Sequence, residues 1–203
     1  MELLNTKQKI FEASVELFQK KGYAGSTIRE IAKAVGIKES SIYNHYKSKE
    51  EIFDCILEEF ENGIISNRTS KEELEALIIA ISPAEIIKLI FLNYLGNKDI
   101  KYDKIAKIIF IEQYINKKAS DFFIKYMVDE PLMYYEKIFS MFVSAHRIEN
   151  YDYTQLAKEL HYGFLCLMME HAHMKEEVQY DRRILQKMVR HVDFVFEHIQ
   201  LIG

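Results

Sequence analysis

The chain has 203 residues, 27 Lys and Arg against 31 Asp and Glu, and a formal net charge of −4. That length buries a real core without a metal or a disulfide to staple it. Apolar residues make up 49% of the chain, only two prolines and seven glycines interrupt them, and no alternating strand pattern is present, which predicts an all-α protein.

A first helix is predicted from about Thr6 to Lys21, carrying Ile10, Phe11, Ala13, Leu17 and Phe18 and closing on Lys21-Gly22-Tyr23. The stretch from Ser26 to Ile52 then has the grammar of a helix, a tight turn and a second short helix. Thr27 can cap the first of these, with Glu30 as its reciprocal capping-box partner. Ile28, Ile31 and Ala32 share one face, with Val35 at its end, and Gly36 stands where a turn needs a left-handed backbone. Ile37 and Ile42 pin the second helix into the same small core. Lys38, Glu39, Ser40, Ser41, Tyr43, Asn44 and His45 are left over, nearly all of them polar hydrogen-bonding side chains. An apolar anchor with an uncommitted polar face is what docking in a DNA major groove requires. The same pattern also fits an ordinary helical hairpin with a solvated face.

The segment resembles the DNA-binding domain of the tetracycline-repressor family. The residues that carry the resemblance are Thr27, Ile28, Ile31, Ala32, Gly36, Ile37, Ile42, Tyr43, His45, Tyr46, Ser48, Lys49, Glu50 and Ile52, in order and without gaps. Three positions depart from the family's pattern. Lys38 replaces a Ser that caps the recognition helix, Ser40 replaces a Gly, and Tyr46 replaces a Phe. The first two fall where sequence is read, so no operator carries over from a relative. The resemblance implies that Thr27, Tyr43, His45 and Lys49 hold phosphates. It implies that Arg29, Glu39, Ser40, Ser41 and Asn44 face base edges, with Lys38 beside them on the DNA-binding surface. Charge agrees with this reading: through Lys49 there are nine Lys and Arg against five Asp and Glu, a surplus of four that leaves −8 for the remainder. That is a mildly basic reader on an acidic body.

Ser48 and Glu51 read as a second capping box, opening a connecting helix at about 49–65. The expected division is a helix-turn-helix domain over 1–48 and a helical ligand-binding and dimerisation domain over 49–203. After a polar break at 67–70, Ser70 and Glu73 cap a helix through Ile81. Ser82-Pro83-Ala84-Glu85 is a clear helix start, and that helix ends at Gly96-Asn97. Further helices are predicted from Tyr102 to Asn116, from Ala119 to Val128, and from Pro131 toward His146. Two long ones, Tyr153 to Met174 and Tyr180 to Gln200, close the chain. Leu156, Leu160, Leu167, Leu185, Met188, Val192, Val195, Phe196 and Ile199 form stripes on this last pair. Such stripes fit an intramolecular hairpin or half of a four-helix dimer bundle equally well. The resemblance implies the dimer, since family members pair through their last two helices.

The body is rich in aromatics and methionines, as an apolar small-molecule site is, although each alone also fits a plain core. The candidate lining is Phe91, Tyr94, Phe110, Tyr114, Phe123, Met127, Tyr162 and Met169. A metal at Glu170, His171 and His173, with His161 nearby, is disfavoured because positions two apart point to different sides of a helix. Cys55 and Cys166 sit in apolar helical contexts and read as buried packing thiols. No phosphate-cradling or nucleophile-elbow motif is present, so neither a cofactor nor catalysis is expected. Neither a secretory signal nor an apolar run of membrane-spanning length is found.

The expectation is therefore a bacterial, cytoplasmic transcription regulator, nucleoid-associated when bound. It would act as a repressor on a palindromic double-stranded DNA operator, as a homodimer, released by a small, largely apolar effector. The alternative is a helical ligand-binding or protein-interaction module that keeps the reader only as a scaffold.

Overall fold

In the computed structural model the described residues are 5–96, 100–150, 152–172, 182–197 and 199. Their regular structure is eleven α-helices and one π-helical segment, with no strand among them. None of these helices is long and apolar enough to cross a membrane. Most helices start where short polar side chains satisfy the free N–H groups. Asn5 caps α1 (Thr6–Lys21), and Thr27 and Glu30 form a full capping box on α2 (Ile28–Val35). Ser70 and Glu73 do the same for α5 (Lys71–Ala80). Ser82 and Glu85 bond reciprocally at 3.3 Å across the start of α6 (Pro83–Gly96). Each such cap is worth about 1 kcal/mol.

The helices sort into two units. The first is Met1–Ser66 with Lys98–Phe123, and the second is Asn67–Asn97 with Ile124–Gly203. Beyond the three reader helices, the first unit therefore includes α4 (Lys49–Ser66), α7 (Ile100–Glu112) and α8 (Lys117–Phe122). Its interior is Ile10, Phe18, Ile31, Ile42, Ile52, Phe53, Ile56 and Phe60 with Ile105, Ile108 and Ile109 of α7. The second unit packs α5 and α6 with α9 (Glu130–Ser144), α10 (Tyr153–Ala172) and α11 (Arg182–Glu197). Ile86, Ile138, Phe139, Phe142, Leu160, Phe164 and Val192 lie at its centre. Fully burying each of these side chains contributes roughly 1.5–3 kcal/mol.

Several expectations need correction. The helix predicted from Tyr102 to Asn116 is α7, and it stops at Glu112 because Asn116 turns to cap α8, accepting from the Lys118 and Ala119 N–H groups. The helix predicted from Ala119 to Val128 is instead the short α8 followed by a π-helical segment, Phe123–Asp129. Pro131 has no N–H to donate to the carbonyl four residues earlier, which is that of Met127. His161 Nε2 takes that oxygen at 2.8 Å. This bond fixes the Nε2–H tautomer, and burial pushes the imidazole's pKa down. Cys166 is exposed and Cys55 half-buried, so neither is the fully buried thiol expected.

The closing stripes pack within the second unit. Leu160, Met188, Val192, Val195, Phe196 and Ile199 are buried inside the second unit, and Leu156, Leu167 and Leu185 pack against that core. The six buried ones hold the second unit together, whereas Leu156, Leu167 and Leu185 stay half-buried. α10 and α11 approach closely where Gly163 lacks a side chain. A Cβ there would come within 2.2 Å of the His191 ring, whose Nε2 bonds the Glu159 and Leu160 carbonyls at 3.1 and 3.0 Å.

Val192 is 1% exposed, so Val192→Asp buries a carboxylate with no partner. It is expected to cost on the order of 3 kcal/mol or more. Loss of the cooperative melting transition, and not a folded monomer, is the outcome that calorimetry should record.

Candidate nucleic-acid interface

The reader is built on a few apolar anchors. Ile31 and Ala32 of α2, Ile42 of α3 (Glu39–Ile42) and Tyr46 are buried. Gly36 takes the left-handed conformation at φ 78° and ψ 31°, and its N–H closes onto Ala32 and Lys33. Ile37 N–H then bonds the Ala32 carbonyl at 3.0 Å. This doubles the chain back and sets α3 beside α2. Lys38 stands at the cap of α3 and makes no side-chain cap bond, as its departure from Ser predicts. The tip of Tyr46 has a use that a Phe would lack: its hydroxyl donates to the Lys7 carbonyl at 3.3 Å, tying the turn after α3 to the first turn of α1. Burial is the main reason its phenol is pushed up to about 12.

What remains outside is the set singled out from the sequence. Thr27, Arg29, Lys38, Glu39, Ser40, Tyr43 and Asn44 are exposed, and Ser41 and His45 are half-buried. Tyr43 is 52% exposed although its aromatic body would favour burial. The Thr27 hydroxyl both donates to the Glu30 carboxylate at 3.0 Å and accepts from the Glu30 N–H at 3.2 Å.

Lys49 is placed differently. Its ammonium donates to the Tyr23 and Ser26 carbonyls, both at 2.8 Å, and lies 4.2 Å from the centre of the Tyr23 ring. Two of its three donors are used inside the unit, gripping the α1–α2 turn. Ser48 accepts from the Glu51 N–H at 3.1 Å as expected, but the Glu51 carboxylate returns to the Lys47 N–H and not to that of Ser48.

Sequence reasoning missed what supports this surface from α7 and α8. Glu112 accepts from the Tyr23 N–H at 2.7 Å. Lys118 bridges Glu50 at 2.6 Å and Asp54 at 2.8 Å. Lys104 pairs with Glu16, and Lys101 with Glu59. Singly, such exposed pairs are worth little, but together they join α7 and α8 to α1 and α4. A groove of about 670 Å³ runs along this seam, lined by Lys7, Glu12, Glu16, Glu59, Lys101 and Lys104 with Phe11 and Val15. Residues from three distant stretches meet here, and no local pattern announces such pairings.

The effector candidates are divided between the two units. Phe110, Tyr114 and Phe123 belong to the first unit, and Phe91, Met127, Tyr162 and Met169 to the second. Tyr114 is 79% and Tyr162 46% exposed, whereas Phe91 and Met127 are buried. The side chains of Tyr94 and His171, and all of His173, Met174, Tyr180 and Gln200, lie outside the described residues.

Comparison with known proteins agrees with this geometry. The family model for bacterial regulatory proteins of the tetR family matches residues 10–56. The biofilm operon icaADBC HTH-type negative transcriptional regulator IcaR of Staphylococcus aureus is 38% identical over 76 residues, which is 35% of this chain and 41% of IcaR. The aligned part thus spans less than half of that relative. A solved transcriptional regulator of the TerR/AcrR family from Aquifex aeolicus is 25% identical at a TM-score of 0.69, covering 95% of this chain and 100% of that one. A regulator from Saccharomonospora viridis, solved in complex with choline, shares the fold at 18% identity and a TM-score of 0.65, over 97% of both chains. These relatives are transcription regulators, not enzymes.

The Glu30 carboxyl is held at about 2, against an ordinary 4.5, first by the hydrogen bond from Lys21 and then by those from Thr27. Its folded-state value is depressed, so its contribution is complete above about 4.5 and vanishes as pH falls toward 2. Melting curves of the native chain and Glu30→Gln are therefore expected to converge across that window. Curves that stay parallel would contradict the capping role.

Proposed function

We propose that this chain is a regulator of the tetracycline-repressor family and represses transcription by binding a roughly palindromic operator as a homodimer. A small ligand in the second unit releases it. The observation that carries this reading is the face of α2 and α3. Its apolar anchors are taken up by the reader's core, while Arg29, Lys38, Glu39, Ser40 and Asn44 stay in solvent. Repression follows from the likeness to IcaR, a negative regulator. Arg29, Glu39, Ser40, Ser41 and Asn44 read base edges. Thr27, Lys38, Tyr43 and His45 hold the backbone, and Lys49 acts at that backbone through the turn that it fixes.

The pairing face is the outward side of α10 and α11. Glu159, Tyr162 and Cys166 on α10 and Arg190 and Phe194 on α11 are exposed, Phe194 by 61%. A two-fold axis brings the same patch against itself. Acidic positions on one α10 can then meet basic positions on the other copy's α11.

The effector site lies among the aromatics of the second unit. Phe91 and Phe164 stack at 4.2 Å, and Tyr135 stands 6.0 Å from His161, whose Nε2 is already bonded to the Met127 carbonyl. Such a lining suits a largely apolar molecule with one or two polar groups. The choline complex of a protein with the same fold lends support to a small-molecule site in this architecture.

Selection from random DNA should enrich one palindromic sequence. Arg29→Ala should relax one base of each half-site, a loss of about 1–3 kcal/mol in discrimination. If the variant returns the same site at full stringency, Arg29 touches only phosphate.

Tyr162→Arg should keep a cooperative melting transition and shift sedimentation from dimer to monomer, with operator binding lost. A monomeric native chain at micromolar concentration would remove the pairing altogether.

A further inference from the structure

Glu112 ends α7 and is 2% exposed, one of the few buried ionisable side chains in the first unit. A carboxylate out of water is costly unless bonded. Its Oε1 accepts from the Tyr23 N–H at 2.7 Å. The α1 ladder closes at Gly22, whose N–H bonds the Phe18 carbonyl at 2.9 Å, so the next N–H has no helical acceptor and Glu112 supplies one. Gly22 makes the approach possible. It holds φ at +74°, and a Cβ there would stand 3.1 Å from the same carboxylate oxygen.

The other end of the same residue is held by the opposite charge. The Tyr23 carbonyl accepts from Lys49 of α4, which also binds the Ser26 carbonyl. The Ser26 hydroxyl donates to the Gly22 carbonyl at 2.8 Å and closes the turn on itself. One residue later, Thr27 caps α2. The turn that aims α2, and with it α3, is thus fixed by α4 on one side and by α7 on the other. Lys49 lies beside the reader in sequence, whereas Glu112 comes from a segment that joins the second unit by chain at both ends.

We propose that Glu112 is a positioning residue for DNA reading: its bond to the Tyr23 N–H sets where α2 and α3 stand relative to α7, and so the half-site spacing that the dimer accepts. The proposal rests on the operator-binding reading above. It predicts a loss of spacing discrimination, which a general loss of stability would not produce, since unfolding lowers affinity for every spacing alike.

The test uses the full chain and the operator enriched from random DNA, together with versions that gain or lose one base pair at the centre. The native chain should prefer the enriched spacing. Glu112→Ala, and Glu112→Asp with its shorter reach, should weaken binding to the enriched operator by about five- to tenfold while the preference between spacings falls toward one. Glu112→Gln keeps an oxygen for the Tyr23 N–H and should restore the preference. The salt dependence should stay as in the native chain, because no phosphate contact is removed. If Glu112→Ala and Glu112→Asp keep the native preference, or if Glu112→Gln fails to restore it, the proposal is overturned while the operator reading stands. A native chain that enriches no DNA removes the operator reading and this proposal with it.

Discussion

The ammonium of Lys49 rests on two backbone carbonyls, and the order of the N-terminal unit descends from that contact. A charged donor shared between Tyr23 and Ser26 makes hydrogen bonds of the stronger kind. The Tyr23 ring beneath the charge packs edge-on against Phe18 at 5.4 Å and tilted against Phe53 at 4.9 Å. The polar clamp and the apolar core are therefore one construction. Move the ammonium, and the ring that floors it must shift, along with the two phenylalanines that seat α1 on α4. The recognition surface lies outside this assembly and inherits its geometry. Its own helix, α3, is only four residues long and has no side-chain cap, too little to hold a position by itself.

Local signals are legible in the sequence. The capping boxes at Thr27 and Ser70, the proline start at Pro83, the left-handed Gly36 and the uncapped Lys38 depend on neighbours within a few residues, and each lies where the pattern puts it. The exposed polar face of the reader follows from the same local logic, because anchoring Ile31 and Ile42 leaves the alternate positions outside. What could not be read were contacts between distant stretches. Nothing around Glu112 distinguishes it from the surface glutamates, and its burial depends on a glycine ninety positions earlier. Lys49 looked like a phosphate ligand because the sequence offers no view of the two carbonyls waiting for it.

The closing helices show a different limit. An apolar stripe reports that a face is buried without saying against what. The stripe on α11 is regular enough for a bundle with a second copy, yet Met188, Val192 and Phe196 face the interior of their own unit. Phe139 stacks on Phe196 at 5.9 Å, and Phe91 on Phe164 at 4.2 Å, so the core is laid down in aromatic pairs that bind α9 to α11 and α6 to α10. With those positions occupied, any pairing surface has to be sought on the mixed, half-polar sides that periodicity passes over.

The π-helical segment at Phe123–Asp129 changes the rotational phase of the chain. A continuous α-helix from Lys117 to Ser144 would present a single stripe along its length. A widened turn advances the residues that follow it around the helix axis. Ala119 and Phe122 are buried in the first unit, and Tyr135, Ile138, Phe139 and Phe142 in the second. Pro131 opens this gap and His161 seals it from a different helix. The imidazole works as a latch: while it holds the Met127 oxygen, α10 keeps the wide turn from closing into an α-helical one.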